Sequence, residues 1–72
     1  MNYILDSDSI AGKLVNLRSK KNISQAEVAK SLGLTKAAIC QYETGQRIPS
    51  DEIKIKLSNY YGVTVQELFF TK

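Results

Sequence analysis

Lys36, Ala37, Cys40 and Gln41 are spaced so that a helix turning about 100° per residue brings them to one side, with Thr44 one turn further on. Their chemistry is that of hydrogen-bonded recognition. A glutamine amide sets a donor beside an acceptor, a lysine ammonium offers only donors, and an alanine methyl offers a small apolar contact. Bond-breaking chemistry has little to work with. The chain has no histidine, and its one cysteine, Cys40, has no second thiol within the chain to pair with. No zinc site and no imidazole base follow from such a set, so neither an enzyme nor a metal or other cofactor is expected.

The elements that must position these residues can be read from periodicity and caps. Asp8 and Ser9 read as capping residues before Ile10, and Ile10, Leu14 and Leu17 recur at i, i+4 and i+7, with Ala11 and Val15 widening the stripe. The pattern breaks near Asn22. "SQAE" at 24–27 is a capping box in which Ser24 and Glu27 satisfy each other's backbone amides, and Val28, Ala29 and Leu32 form the apolar face of the second helix. Gly33 stops it. Thr35 opens a third helix over 35–44 with Ile39 and Tyr42 turned inward, ended by Gly45 and then Pro49. Ser50 caps a fourth, with Asp51 and Glu52 in its first turn, Ile53, Leu57, Tyr60 and Tyr61 on one face, and Gly62 at its end. "TVQE" at 64–67 is a second capping box, opening a short fifth helix with Leu68 and Phe69. There is no strand signal, so the expectation is an all-α bundle forming one domain over 1–72, with a loosely held tail at 1–8 that includes Tyr3, Ile4 and Leu5.

Composition bounds what such a bundle does. At 43% hydrophobic the chain is apolar enough to build a core, and 72 residues is near the smallest size at which one core holds a fold unaided. No apolar run approaches the roughly 18 residues a membrane span needs, and "MNYILDSDSI" has no basic leader followed by a long apolar stretch; a cytoplasmic protein with no membrane partner is expected. The net charge of +3 suits a polyanionic partner, yet a basic surface alone does not single one out.

Two short helices joined by a tight glycine turn are the geometry of a helix-turn-helix, in which the second helix is held out to enter the DNA major groove. Ala29 is small where the helices cross, Gly33 turns the chain, and Ile39 anchors the third helix from beneath. With "SQAEVAKSLGLT", "ICQYETGQRIP" and "YYGVTVQELF", nearly the whole chain resembles the Cro and phage-repressor type of helix-turn-helix, the XRE family. That resemblance implies a five-helix lambda-repressor-like bundle, binding to double-stranded operator DNA as a twofold homodimer, and repression of transcription of the kind found in phage lysogeny switches. It also implies that Ser24 and Gln25 meet a phosphate at a helix N-terminus, that Thr44, Gln46 and Arg47 make further phosphate contacts, and that Arg18 and Glu43 form an ion pair setting the angle of the third helix. Within that geometry Lys36, Ala37, Cys40 and Gln41 become the base-reading positions: Gln41 pairs with adenine, Lys36 reaches a guanine edge or a phosphate, and Ala37 touches a thymine methyl.

Two departures keep a second function open. The third helix carries one cation, and Lys54 stands where the family usually has leucine. Ile55 lies about 160° from the Ile53 and Leu57 direction, so a patch of Ile55, Phe69 and Phe70 is a possible protein interface. The alternative is therefore an antirepressor or modulator that binds a partner phage repressor, with or without DNA binding of its own.

Overall fold

The structure, a computed structural model, describes residues 7–69 of the chain. Its helices are α1 (Ser7–Lys21), α2 (Gln25–Leu32), α3 (Lys36–Thr44), α4 (Asp51–Tyr61) and α5 (Val65–Phe69), with no strand among the described residues. The all-α, five-helix expectation holds. Two boundaries are corrected. Asp8 and Ser9 sit inside the first turn of α1 and not ahead of it, and the tail expected over 1–8 therefore loses Ser7 and Asp8 to the helix. Tyr3, Ile4, Leu5 and Phe70 lie outside the described residues.

Local chemistry starts and stops each helix. Ser24, Thr35 and Ser50 place their hydroxyl oxygens 3.1, 3.0 and 3.3 Å from the amides of Glu27, Ala38 and Ile53, which have no partner one turn back. Of the two expected capping boxes, the one at 64–67 is reciprocal: the Glu67 amide donates to Thr64 Oγ1 at 2.9 Å and the Thr64 amide donates to Glu67 Oε1 at 3.0 Å. At 24–27 only the forward bond forms. Between α1 and α2 the chain turns through Asn22 at φ 58°, a left-handed conformation that asparagine tolerates better than most residues.

One core unites the elements. Ile10 and Leu14 from α1, Val28 and Ala29 from α2, Ile39 and Tyr42 from α3, Leu57 and Tyr61 from α4, and Leu68 and Phe69 from α5 meet in it. Full burial of a single Leu or Ile side chain contributes roughly 1.5–3 kcal/mol, so Leu14, Ile39, Leu57 and Leu68, each 2% exposed, are its principal contributors. Ser58 is buried among them at 2% exposure, its hydroxyl donating to the Lys54 carbonyl at 2.8 Å. Lys54 itself swings its ammonium over the Phe69 ring, 5.5 Å from the centroid, and lies 3.7 Å from Asp51. A lysine at that position thus covers the core with its stem while its charge stays at the rim.

Candidate nucleic-acid interface

The α2–turn–α3 unit is built around Gly33. Its φ of 70° lies in the left-handed region, and the reversal lets the Leu34 amide return to the Ala29 carbonyl at 2.8 Å. Ala29 is 3% exposed, so a methyl is the largest group that faces α3 there without pushing the helices apart. Behind α3, Ile39 and Tyr42 enter the core, as their spacing predicts. In front, Lys36, Ala37, Cys40 and Thr44 are exposed and Gln41 is half-buried. The five expected outward positions therefore share one side of a helix whose other side is locked into the protein.

The lock is electrostatic as well as apolar. Glu43 turns inward from α3 with its side chain 4% exposed, and Arg18 of α1 meets it with two parallel bonds, Nε to Oε2 at 2.7 Å and Nη2 to Oε1 at 3.0 Å. The hydrogen bond to Glu43 raises the Arg18 pKa beyond its ordinary value, outweighing the opposing effect of partial burial. Arg18 Nη1 also donates to the Ile23 carbonyl at 2.8 Å, which ties the α1–α2 loop to the same point. Gln25 completes the cluster: its Nε2 donates to Glu43 Oε1 at 2.9 Å, leaving one amide hydrogen for a ligand. The carboxylate is thus matched by donors from α1 and α2, which joins both helices to α3 at one point. Nearby Tyr61 has its pKa pushed up to about 12, first by burial and then by the Glu43 charge.

The loop after α3 is wrapped around Gln41. The Gln41 carbonyl is shared by the Gly45 amide, the Gln46 amide at 3.0 Å, the Arg47 amide at 3.3 Å and the Thr44 hydroxyl at 3.3 Å. Arg47 then folds back: Nη1 donates to Gln41 Oε1 at 3.4 Å, and its Cζ sits 5.9 Å from the centroid of the Tyr42 ring. Ser24, Thr44, Gln46 and Arg47 are all exposed. The Gln25–Glu43 and Arg47–Gln41 contacts were not expected from sequence. The first spans 18 positions and carries no local signal; the second, six apart, becomes visible only once the loop's course is known.

The expected apolar patch needs correction. Phe69 is 2% exposed and belongs to the core, where α5 turns it toward the other helices, so it is withdrawn from any interface. Ile55 is 53% exposed on α4. No helix is long and apolar enough to cross a membrane, and no group of metal-ligating side chains occurs, among the described residues.

Comparison with known proteins places this geometry. Residues 14–68 match a family model described as helix-turn-helix. The chain is 36% identical over 58 residues to the cryptic phage CTXphi transcriptional repressor RstR of Vibrio cholerae, covering 81% of this chain and 52% of RstR. It is 32% identical over 57 residues to an HTH-type transcriptional regulator of Methanocaldococcus jannaschii, covering 79% of this chain and 86% of that one. The chain therefore spans about half the length of RstR. Among solved structures, the SOS-response transcriptional repressor LexA of Eubacterium rectale superposes with a TM-score of 0.88 at 22% identity, over 100% of this chain and 77% of the other, a likeness of fold.

Proposed function

This chain belongs to the helix-turn-helix family whose model it matches over most of its length, and from that premise we propose that it is a sequence-specific DNA-binding transcriptional regulator, a Cro-like repressor. It reads the major groove of an operator with α3 and acts in the cytoplasm as a homodimer. The observation that carries this reading is the outward row of exposed Lys36, Ala37, Cys40 and Thr44 with half-buried Gln41 among them, on a helix held from behind by Ile39, Tyr42 and the Arg18–Glu43 pair. Ser24 and Gln25 meet a phosphate at the N-terminus of α2, where the first amides point outward, and Thr44 and Gln46 flank the groove. Direct readout by one glutamine and one lysine is modest per half-site, at roughly 1–3 kcal/mol of discrimination for each good pair, so a twofold dimer or DNA shape supplies the remainder.

Gel shifts across a salt series, on duplex DNA from upstream of the protein's own coding sequence, test the reading. Phosphate-based binding weakens steeply between about 50 and 200 mM salt. Ile55, 53% exposed on α4, favours the second reading, an antirepressor that docks on a partner repressor. Absence of any shift at low salt, with a second repressor co-purifying, would replace the first reading by this one.

A further inference from the structure

We propose that Arg47 is a positioning residue that decides which way round the Gln41 amide is presented, and thereby makes adenine the base that α3 reads. The inference rests on the DNA-reading function above. A glutamine amide reads the same outline in two orientations, related by a half-turn of its end group, that exchange donor and acceptor. A neighbour that only donates removes the ambiguity. The Arg47 guanidinium has no acceptor, so Oε1 is the atom of Gln41 that faces it, at 3.4 Å from Nη1.

Arg47 is itself held. Its backbone amide donates to the Gln41 carbonyl at 3.3 Å, so the loop cannot leave Gln41 without breaking that bond. Its guanidinium lies against Tyr42, whose ring is fixed by burial at 5% exposure. Main chain and side chain of one residue thus grip main chain and side chain of the other. With one lone pair of Oε1 taken by Arg47, the second remains to accept from the exocyclic amine of adenine, and Nε2 donates to adenine N7. Guanine presents two acceptors on the same edge, and an outward carbonyl is repelled by the nearer of them. Charge assistance from Arg47 also polarises the Gln41 amide and strengthens its pairing with adenine.

The test selects duplexes from a randomised library with the purified full chain. It then measures affinity for the enriched duplex and its single-base-pair variants, across salt, for the natural protein, Gln41→Ala, Arg47→Ala, Arg47→Lys and the Gln41→Ala/Arg47→Ala double variant. The expected result is one A·T pair preferred by roughly 5- to 150-fold in the natural protein. That preference falls toward unity in Gln41→Ala, Arg47→Ala and the double variant, and the double variant loses no more at that pair than Gln41→Ala alone. Arg47→Lys still only donates, so it keeps more of the preference than Arg47→Ala does. Arg47→Ala leaves the salt slope nearly unchanged. If Arg47→Ala instead weakens every duplex alike and lowers the slope by about one with the adenine preference intact, Arg47 is a phosphate contact and this inference falls while the DNA-reading function stands. If Gln41→Ala changes no base pair, the inference also falls. A library that yields no enriched sequence overturns the DNA-reading function and the inference together.

Discussion

Replacing Arg18 with methionine probes the joint between α1 and α3. Methionine keeps much of the apolar stem and removes the guanidinium, so the variant loses the bonds of 2.7 and 3.0 Å to Glu43 and of 2.8 Å to the Ile23 carbonyl. Glu43 then keeps Gln25 as its remaining partner, with a side chain 4% exposed. Removing one member of a buried pair costs about 3–5 kcal/mol, because the other charge is left in a poorly solvating site. The Arg18 side chain is 20% exposed, so water reaches part of the gap and the lower end, about 3 kcal/mol, is expected. A chain of this size has roughly 4–11 kcal/mol to lose, and the melting temperature of so small a domain falls by about 4–8 °C per kcal/mol. Urea unfolding followed by circular dichroism measures the loss directly. The companion double variant Arg18→Met/Glu43→Gln discards the charge as well as its partner and should recover most of the stability. A loss below about 1 kcal/mol for Arg18→Met, or a double variant no more stable than the single one, would falsify the argument that a buried charge drives the effect.

Gly33→Ala should destabilise by about 1–2 kcal/mol, because alanine is strained at φ 70° although its methyl would meet nothing within 4 Å; Gly33→Asn should cost less, and unfolding midpoints compare the two. Phe69→Ala should cost about 3–5 kcal/mol while Ile55→Lys stays within about 0.5 kcal/mol, which denaturant unfolding distinguishes; equal losses would mean that α4 and α5 are wrongly turned. The folded-state pKa of Tyr61, at about 12, lies above the ordinary 10.0, so its contribution is complete below pH 10 and is lost as pH rises toward 12. Stability measured across that interval should therefore fall in the natural protein and fall less in Tyr61→Phe.

Helix starts and stops were legible in the residues themselves. Ser24, Thr35 and Ser50 bond amides three positions on, and Gly33, Gly45 and Gly62 take the positive φ angles that end α2, α3 and α4. Such contacts span one helical turn, so they depend on residue order alone. The inward set of α3 was equally legible, because Ile39 and Tyr42 follow the helical period. At α1 the same reasoning set the start too late, since Asp8 and Ser9 favour a cap in isolation but also fit a first turn.

Contacts between helices obey no such short rule. Arg18 and Glu43 were paired only through family resemblance; that Gln25 also bonds the same carboxylate depends on the crossing of α1, α2 and α3, which brings side chains 18 and 25 positions apart to one point. Phe69 and Ile55 are both large and apolar, yet one is 2% and the other 53% exposed, because the course of α5 against α4 decides which of them faces the core. The Gln41 side of α3 shows both contributions. Sequence determined that a glutamine stands on the outward face at that turn, since periodicity alone puts it there. Tertiary structure alone decided that Arg47 returns to its amide, because that depends on where the chain travels after Gly45 and on a buried Tyr42 ring for the guanidinium to rest against.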